Sequence, residues 1–474
     1  MPPVITTAAG RTVTVTHYAF PDPAPQSAPA GTTLCSYTHL NLTEQELNCS
    51  SRYNCWGFTF IPRRYKIDTG ADVDRVLEDN CTTVADGLLQ PGDVIRYRKA
   101  GITTHTGRIW TVDGSGHAAL VRSKWGATGE YLHPPLVVPA SYGIDLAYFR
   151  QHSPLNGVAD LWIADSPTDD GEQFSHQPWW TSPDIMVDAP PYDGSGDLNP
   201  RFSVTNRVWA RIRNRADTGA GNVYVRYYWA DPSVGQAPAD WHPITSTRAH
   251  PNPAGPFAVP AHGSVEAPWV EWIPSATPAH QCLLAIAYVN DDPADVDNPD
   301  PLVYPFDAPW DNNIAQRNVE IIGAGRGSKH RLSVRVRNPF PKVRRPVADI
   351  QVAITHATPL PILGARKPVP IPRVTCNLSN RQCMTVRRVA ARNLSLRRGR
   401  PLFPVMSIHE SILATGELRG VSLAQPQRLT LDITVPADAP PDTSYYIHVT
   451  QHNGNRISGG YTIALMVRES RLPI

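Results

Sequence analysis

Two residues of this sequence have types and settings suited to covalent chemistry, Cys55 and His105. Cys55 stands in Tyr53-Asn-Cys-Trp-Gly-Phe-Thr-Phe60, at the start of an apolar segment. A thiol is a poor nucleophile and a thiolate a good one. The first turn of a helix favours the thiolate through its free N–H groups and its dipole. Gly57 would let another backbone come close. The amide of Cys55 itself would donate to an oxyanion. His105 opens Thr104-His-Thr-Gly-Arg-Ile-Trp110, which reads as a strand. An imidazole beside a thiol takes its proton and later returns it to the leaving group. The two residues are 50 positions apart (105 − 55). They meet only if the His105 strand packs against the Cys55 helix.

Each also has a plain packing explanation, since a free cysteine is often a small buried hydrophobe. Cys35, Cys49 and Cys81 are expected to be packing or disulfide residues, and His117 and His133 to be surface histidines. The chain contains no Cys-x-x-Cys pair and no His-Glu-x-x-His run, so no metal site and no cofactor is expected. The acidic run Asn290–Asp300 lacks the spacing and glycine of a calcium loop and reads as a solvated loop. Seven cysteines leave at least one without an intrachain partner. Cys376 and Cys383 bracket a turn-like hexad, where a hairpin disulfide is geometrically open.

The elements that must position Cys55 and His105 are legible around them. Val73, Val76 and Leu77 form an i, i+3, i+4 face, with Thr69 or Asp72 as N-cap and Asn80 as a stop. Thr12–Tyr18 alternates like a strand, and Pro21–Ala30 reads as an extended loop. Leu89-Gln-Pro-Gly-Asp-Val-Ile95 is a turn entering a strand. The His105 strand turns at Asp113-Gly-Ser-Gly116 into Ala118–Arg122, followed by Ser123-Lys-Trp-Gly126.

These blocks, Cys-Trp-Gly-Phe, Leu-Gln-Pro-Gly-Asp-Val and His-Thr-Gly-Arg-Ile, resemble those of the NlpC-like and CHAP-type cysteine peptidases and amidases. The resemblance covers roughly residues 35 to 150. It implies a compact papain-like domain, Cys55 as nucleophile, His105 as base, and peptide or amide bonds of peptidoglycan as substrate. The family's third polar residue orients the histidine and is often His, Asn, Asp or Glu on the next strand. The sequence there reads Val121-Arg-Ser-Lys-Trp125, which leaves Ser123 as the substitute. Tyr53, Asn54 and Trp56 are the candidates for oxyanion or substrate contact. A Cys–His transferase or deamidase would use the same residues, and a non-catalytic binding or adhesion protein would carry a degenerate copy.

Beyond about residue 155 helical patterning fades. Short alternating runs such as Val208–Arg213, Val223–Tyr228, Leu283–Val289, Leu332–Arg337, Ile350–Ile354, Leu429–Val435, Tyr445–Thr450 and Tyr461–Val467 indicate antiparallel sandwiches. Ala210-Arg-Ile-Arg-Asn-Arg215 matches Val334-Arg-Val-Arg-Asn-Pro339 at an offset of 124 (337 − 213), which suggests two copies. The sandwiches resemble Ig-like, CARDB-type domains, which implies spacer or adhesive roles. Nine tryptophans between Trp162 and Trp310 are expected in core and inter-domain packing, although such rings also stack on sugars.

Composition bounds the rest. With 48 prolines a mainly helical chain is excluded, because proline is confined to helix starts, turns and strand edges. Lys+Arg 44 against Asp+Glu 42 gives no global basis for nucleic-acid binding. The arginines between Arg387 and Arg400 read as a solvated basic loop. No run of 18 apolar residues exists, so no membrane-spanning helix is expected. Met1–Phe20 lacks the regions of a conventional signal peptide, so the chain is expected to be cytoplasmic or exported by a non-conventional route, or to stand apart from its leader. The expected architecture is multidomain. An α+β papain-like domain occupies residues 1–153, with 1–34 as strand plus Pro-rich arm. All-β Ig-like sandwiches follow at 154–324 and 325–474, available for a protein or glycan partner.

Overall fold

The protein is described from a computed structural model over residues 4–16, 33–34, 53–61, 65–126, 129–166, 169–171, 178–194, 196, 199–236, 240–245, 247–274, 281–289, 312–338, 347–356, 370–379, 382–388, 411–441, 443–453 and 456–468. The expectations for Pro21–Ala30, Cys35, Cys49, Asn290–Asp300, Trp310 and most of the Arg387–Arg400 run lie outside these residues. The described chain is mostly β-sheet, in more than one unit, with two helices.

The N-terminal sheet has seven strands: β1 (Thr33–Leu34), β2 (Cys81–Val84), β3 (Val94–Lys99), β4 (Ile102–Val112), β5 (Ala118–Lys124), β6 (Glu130–His133) and β7 (Asp145–Gln151). Their spatial order is β1-β6-β5-β4-β3-β7-β2, antiparallel throughout. Two helices, α1 (Cys55–Phe60) and α2 (Gly70–Asn80), lie against it. The expected i, i+3, i+4 face of α2 is the buried one, and Thr69 is its N-cap, accepting from the Asp72 amide. Asn80 ends α2, and its side-chain amide donates to the carbonyls of Ser153 and Pro154.

The period-two alternation of the strands divides their side chains between two cores. Phe60, Val73, Val76, Leu77, Val94 and Phe149 pack with the helices. Ile95, Tyr97, Ile109 and Val121 form the opposite core, covered by Val138, Tyr142, Leu146 and Tyr148. The helix side is unusually polar, because Thr106, Arg108, Arg122, Lys124 and Glu130 are all buried.

Two sandwiches follow. In the first, two five-stranded sheets built around Asn206–Asn214 and Ala220–Ala230 enclose a core that includes Val187, Val208, Ile212, Val225, Tyr227 and Leu283. In the second, a six-stranded and a four-stranded sheet enclose Val334, Ile350, Val352, Leu431, Ile447 and Ile463. Each alternating run named above beyond residue 155 coincides with a strand of these sheets, Arg337 and Val435 lying one residue past the ends of theirs. Sheet membership changes at Asn318. β8 (Ile314–Arg317) closes a sheet of the first sandwich, and β9 (Val319–Gly325) enters the second, where it pairs in parallel with β10 (Arg456–Arg468).

The tryptophans divide by depth. Trp179, Trp180 and Trp241 cover the outer face of a first-sandwich sheet, whereas Trp269 is 39% exposed. Trp180 also joins the two sandwiches, its indole donating to Thr462 Oγ1. The register settles Cys376 and Cys383. Cys383 is opposite Asn377 and Cys376 is opposite Met384, so adjacent-residue alternation sends the two thiols to opposite faces. Cys376 is buried and Cys383 exposed, and both are free.

Candidate active site

Cys55 is the first residue of α1. Asn54 caps that helix: its Oδ1 accepts from the Gly57 amide at 2.9 Å, and its Nδ2 donates to the Ile67 carbonyl at 2.8 Å. Gly57 is required by contact. A Cβ there would stand 1.9 Å from the Tyr65 carbonyl oxygen. The close backbone approach expected of this glycine is therefore made by the chain leading into Lys66–Ile67.

The backbone N–H dipoles of Thr106, Trp56 and Cys55 itself, and the charge of Lys124, act electrostatically on the Cys55 sulfur. All four favour the thiolate. Burial opposes them and wins, pushing the thiol up to about 12. The lowered thiol expected from helix position alone is thus not what this site holds at rest. A six-residue helix has a small dipole, and the surrounding protein removes the water that would solvate the anion.

His105 lies on β4, completely buried. The next residue, Thr106, faces α1: its hydroxyl is 2.8 Å from that of Thr59 and 3.4 Å from the Cys55 carbonyl. His105 faces the other way, into the second core. The Tyr142 ring stacks on its imidazole at 3.9 Å with 5° between planes, and Tyr97 is tilted against it at 5.3 Å. Burial holds the imidazole well below its ordinary 6.5, and the nearby His133 adds to this. Neither ring nitrogen has a hydrogen-bond partner among the described residues, Cys55 included. Tyr142 connects the two halves, because it lies on His105 and also within the field of Cys55.

Ser123 does not orient His105. Its hydroxyl lies 2.8 Å from Nε2 of His133 and accepts the Trp125 indole N–H at 3.0 Å. His133 Nδ1 is 2.8 Å from the Pro134 carbonyl, which can only accept, so that nitrogen carries the proton and Nε2 accepts from Ser123. His133 is therefore a buried, neutral member of the cluster and not a surface residue. The signal for it was its place two residues after Tyr131, on the same strand face. His117 does lie at the surface, with Nδ1 2.8 Å from Asp86.

The oxyanion candidates are occupied structurally. The Tyr53 hydroxyl donates to Glu130 at 2.7 Å, and Glu130 also takes the Arg122 guanidinium, its Nη2 at 2.7 Å and Nε at 2.9 Å. The Lys124 ammonium sits over the Tyr53 ring at 5.1 Å. The Asn54 amide is taken by the cap and by Ile67. The Trp56 backbone N–H favours the Cys55 thiolate, while its indole nitrogen is buried without a partner among the described residues. No cluster of metal-ligating side chains occurs among the described residues.

No family model matches the chain, and no curated protein does. Solved structures similar to it are distant. AvmM, which catalyzes macrocyclization in alchivemycin A biosynthesis, is 7% identical over 33% of this chain and 87% of its own, with a TM-score of 0.22. The collagen adhesin CNA of S. aureus is 6% identical over 60% of this chain and 91% of its own, at 0.16. Red sea bream transglutaminase is 8% identical over 77% of this chain and 39% of its own, at 0.13. Likenesses of this size carry no argument about fold or activity, so the functional reading rests on the residues themselves.

Proposed function

We propose that the N-terminal unit is a cysteine hydrolase of amide or peptide bonds, with a peptidoglycan peptide as its first substrate class. The two sandwiches would hold it on a target or partner. The observation supporting this reading is Cys55 as the first residue of a helix, where neighbouring backbone N–H dipoles and the Lys124 charge favour the thiolate. Such donors stabilise negative charge where it develops.

With a neutral thiol and a neutral imidazole at rest, attack is assisted by a general base. His105 takes the thiol proton as sulfur adds to the carbonyl carbon. The C–N bond then breaks, and the same proton passes to the departing amine. Water, deprotonated by His105, hydrolyses the thioester and restores the thiol. This sequence requires His105 within hydrogen-bond reach of the sulfur, directly or through one water.

The test is release of amine from purified peptidoglycan by the full chain, compared with Cys55→Ala and His105→Ala. Loss of about a thousandfold or more in kcat is expected for each. Unchanged release in Cys55→Ala overturns the mechanism. One observation favours a second reading, a binding protein with an inactive site: the thiol is driven up by burial and the imidazole makes no hydrogen bond to it. Retention of peptidoglycan by a wild-type chain that releases no amine would establish that reading.

A further inference from the structure

We infer that His105 is oriented by an aromatic clamp, with Tyr142 stacked on it and Tyr97 tilted against it, in place of a hydrogen-bonding third residue. This rests on the reading of His105 as the base. The usual device for fixing a catalytic imidazole is a hydrogen bond to its second nitrogen. Here neither nitrogen has such a partner among the described residues, and Ser123 is bonded to His133. The ring is nonetheless completely buried and held by rings.

The clamp is itself built rigidly. The Tyr97 hydroxyl donates to the Pro135 carbonyl at 2.9 Å, tying β3 to the start of the 134–144 loop. The Tyr142 amide donates to Pro139, and the Tyr142 carbonyl accepts from Thr104, the residue before His105. Gly143 then takes φ +81°, with a Cβ position only 2.1 Å from the Arg98 carbonyl oxygen, so no other residue fits that turn. Trp125 stands edge-on to Tyr142 at 6.5 Å. The offset stacking of flat rings fixes a plane without fixing a tautomer. An imidazole held this way can give up or take a proton at either nitrogen, as a base that later acts as an acid must.

The titratable groups facing His105 are Tyr97 on β3, His133 on β6 and Tyr142 in the loop, with Cys55 beyond Tyr142. The experiment follows the His105 imidazole by NMR in the full chain, beside kcat and KM for amine release. Tyr142→Phe keeps the stack and should leave the titration and kcat within about twofold of wild type. Tyr142→Ala admits water and removes the stacked ring. Its imidazole titration should rise toward the ordinary 6.5, and kcat should fall about tenfold or more with KM little changed. If Tyr142→Ala does not fold, Tyr142→Leu keeps an apolar cover without a flat ring. It should lose kcat similarly and show a mobile imidazole. An unchanged titration and kcat in Ala, or an immobile imidazole and full kcat in Leu, overturns the clamp. So does a Phe variant as damaged as Ala. A wild-type chain without turnover overturns the hydrolase reading instead, and the titration and ring mobility then decide the clamp alone.

Discussion

At the scale of single residues, the deciding quantity is the water excluded from Cys55, His105 and His133. Both imidazoles are depressed by burial, and an unfolded histidine titrates near 6.5. Above that pH both are neutral folded and unfolded, so their contribution to stability is fully present. As pH falls below 6.5 the unfolded chain takes up protons first, and stability falls until the folded values are reached. The melting temperature should therefore drop between pH 7 and pH 5, above the range where carboxylates titrate. His133→Gln should shrink that drop, and a slope equal to wild type would refute the assignment. His117, raised by Asp86, acts in the opposite sense but lies at the surface. Cys55 and His105 stood out as candidates because they sit in short distinctive blocks. Their burial was not, because it is imposed by β6 and the 134–144 loop, whose residues approach only once the sheet has formed.

At the scale of elements, the strongest local signals proved structural. The apolar face of α2 and its Thr69 cap are where periodicity places them, since amphipathic spacing and capping act within a few residues. The short α1 depends on tertiary contact instead. Six residues cannot hold a helix unaided, so α1 persists through the Asn54 cap and the seat made for Gly57. Gly57→Ala should cost about 1–3 kcal/mol, the usual range for overpacking, because its methyl would meet a backbone oxygen. Asn54→Ala should cost about 1 kcal/mol through loss of the cap. Urea denaturation of the full chain checks both. A Gly57→Ala chain as stable as wild type would mean that the chain at Tyr65 moves aside freely.

At the scale of the whole molecule, the two sandwiches interlock. Trp180 of the first lies on Gly460 of the second, where a Cβ would fall 2.0 Å from the indole ring. Arg335 and Arg337, the second copy of the Arg-x-Arg repeat, pair with Asp231 and Asp240 of the first sandwich. The first copy keeps Arg213 within its own sandwich, on Asp184. The repeat was legible as a pattern, but its divergent use was not, because identical strand ends face different neighbours. Gly460→Val should displace Trp180 and separate the melting of the two sandwiches. A single cooperative transition at the wild-type temperature would show that the contact is dispensable.

The parallel pairing of β9 with β10 has a consequence for a chain made from its N-terminus. β8 finds its partner, Cys282–Val289, already synthesised, so the first sandwich can close as soon as Arg317 emerges. β9 follows after one residue, yet its partner begins only at Arg456. For the whole of that interval the newborn second sandwich presents an unmatched edge. Ribosomes stalled within it would display a row of free amides and carbonyls open to pairing with a neighbouring nascent chain.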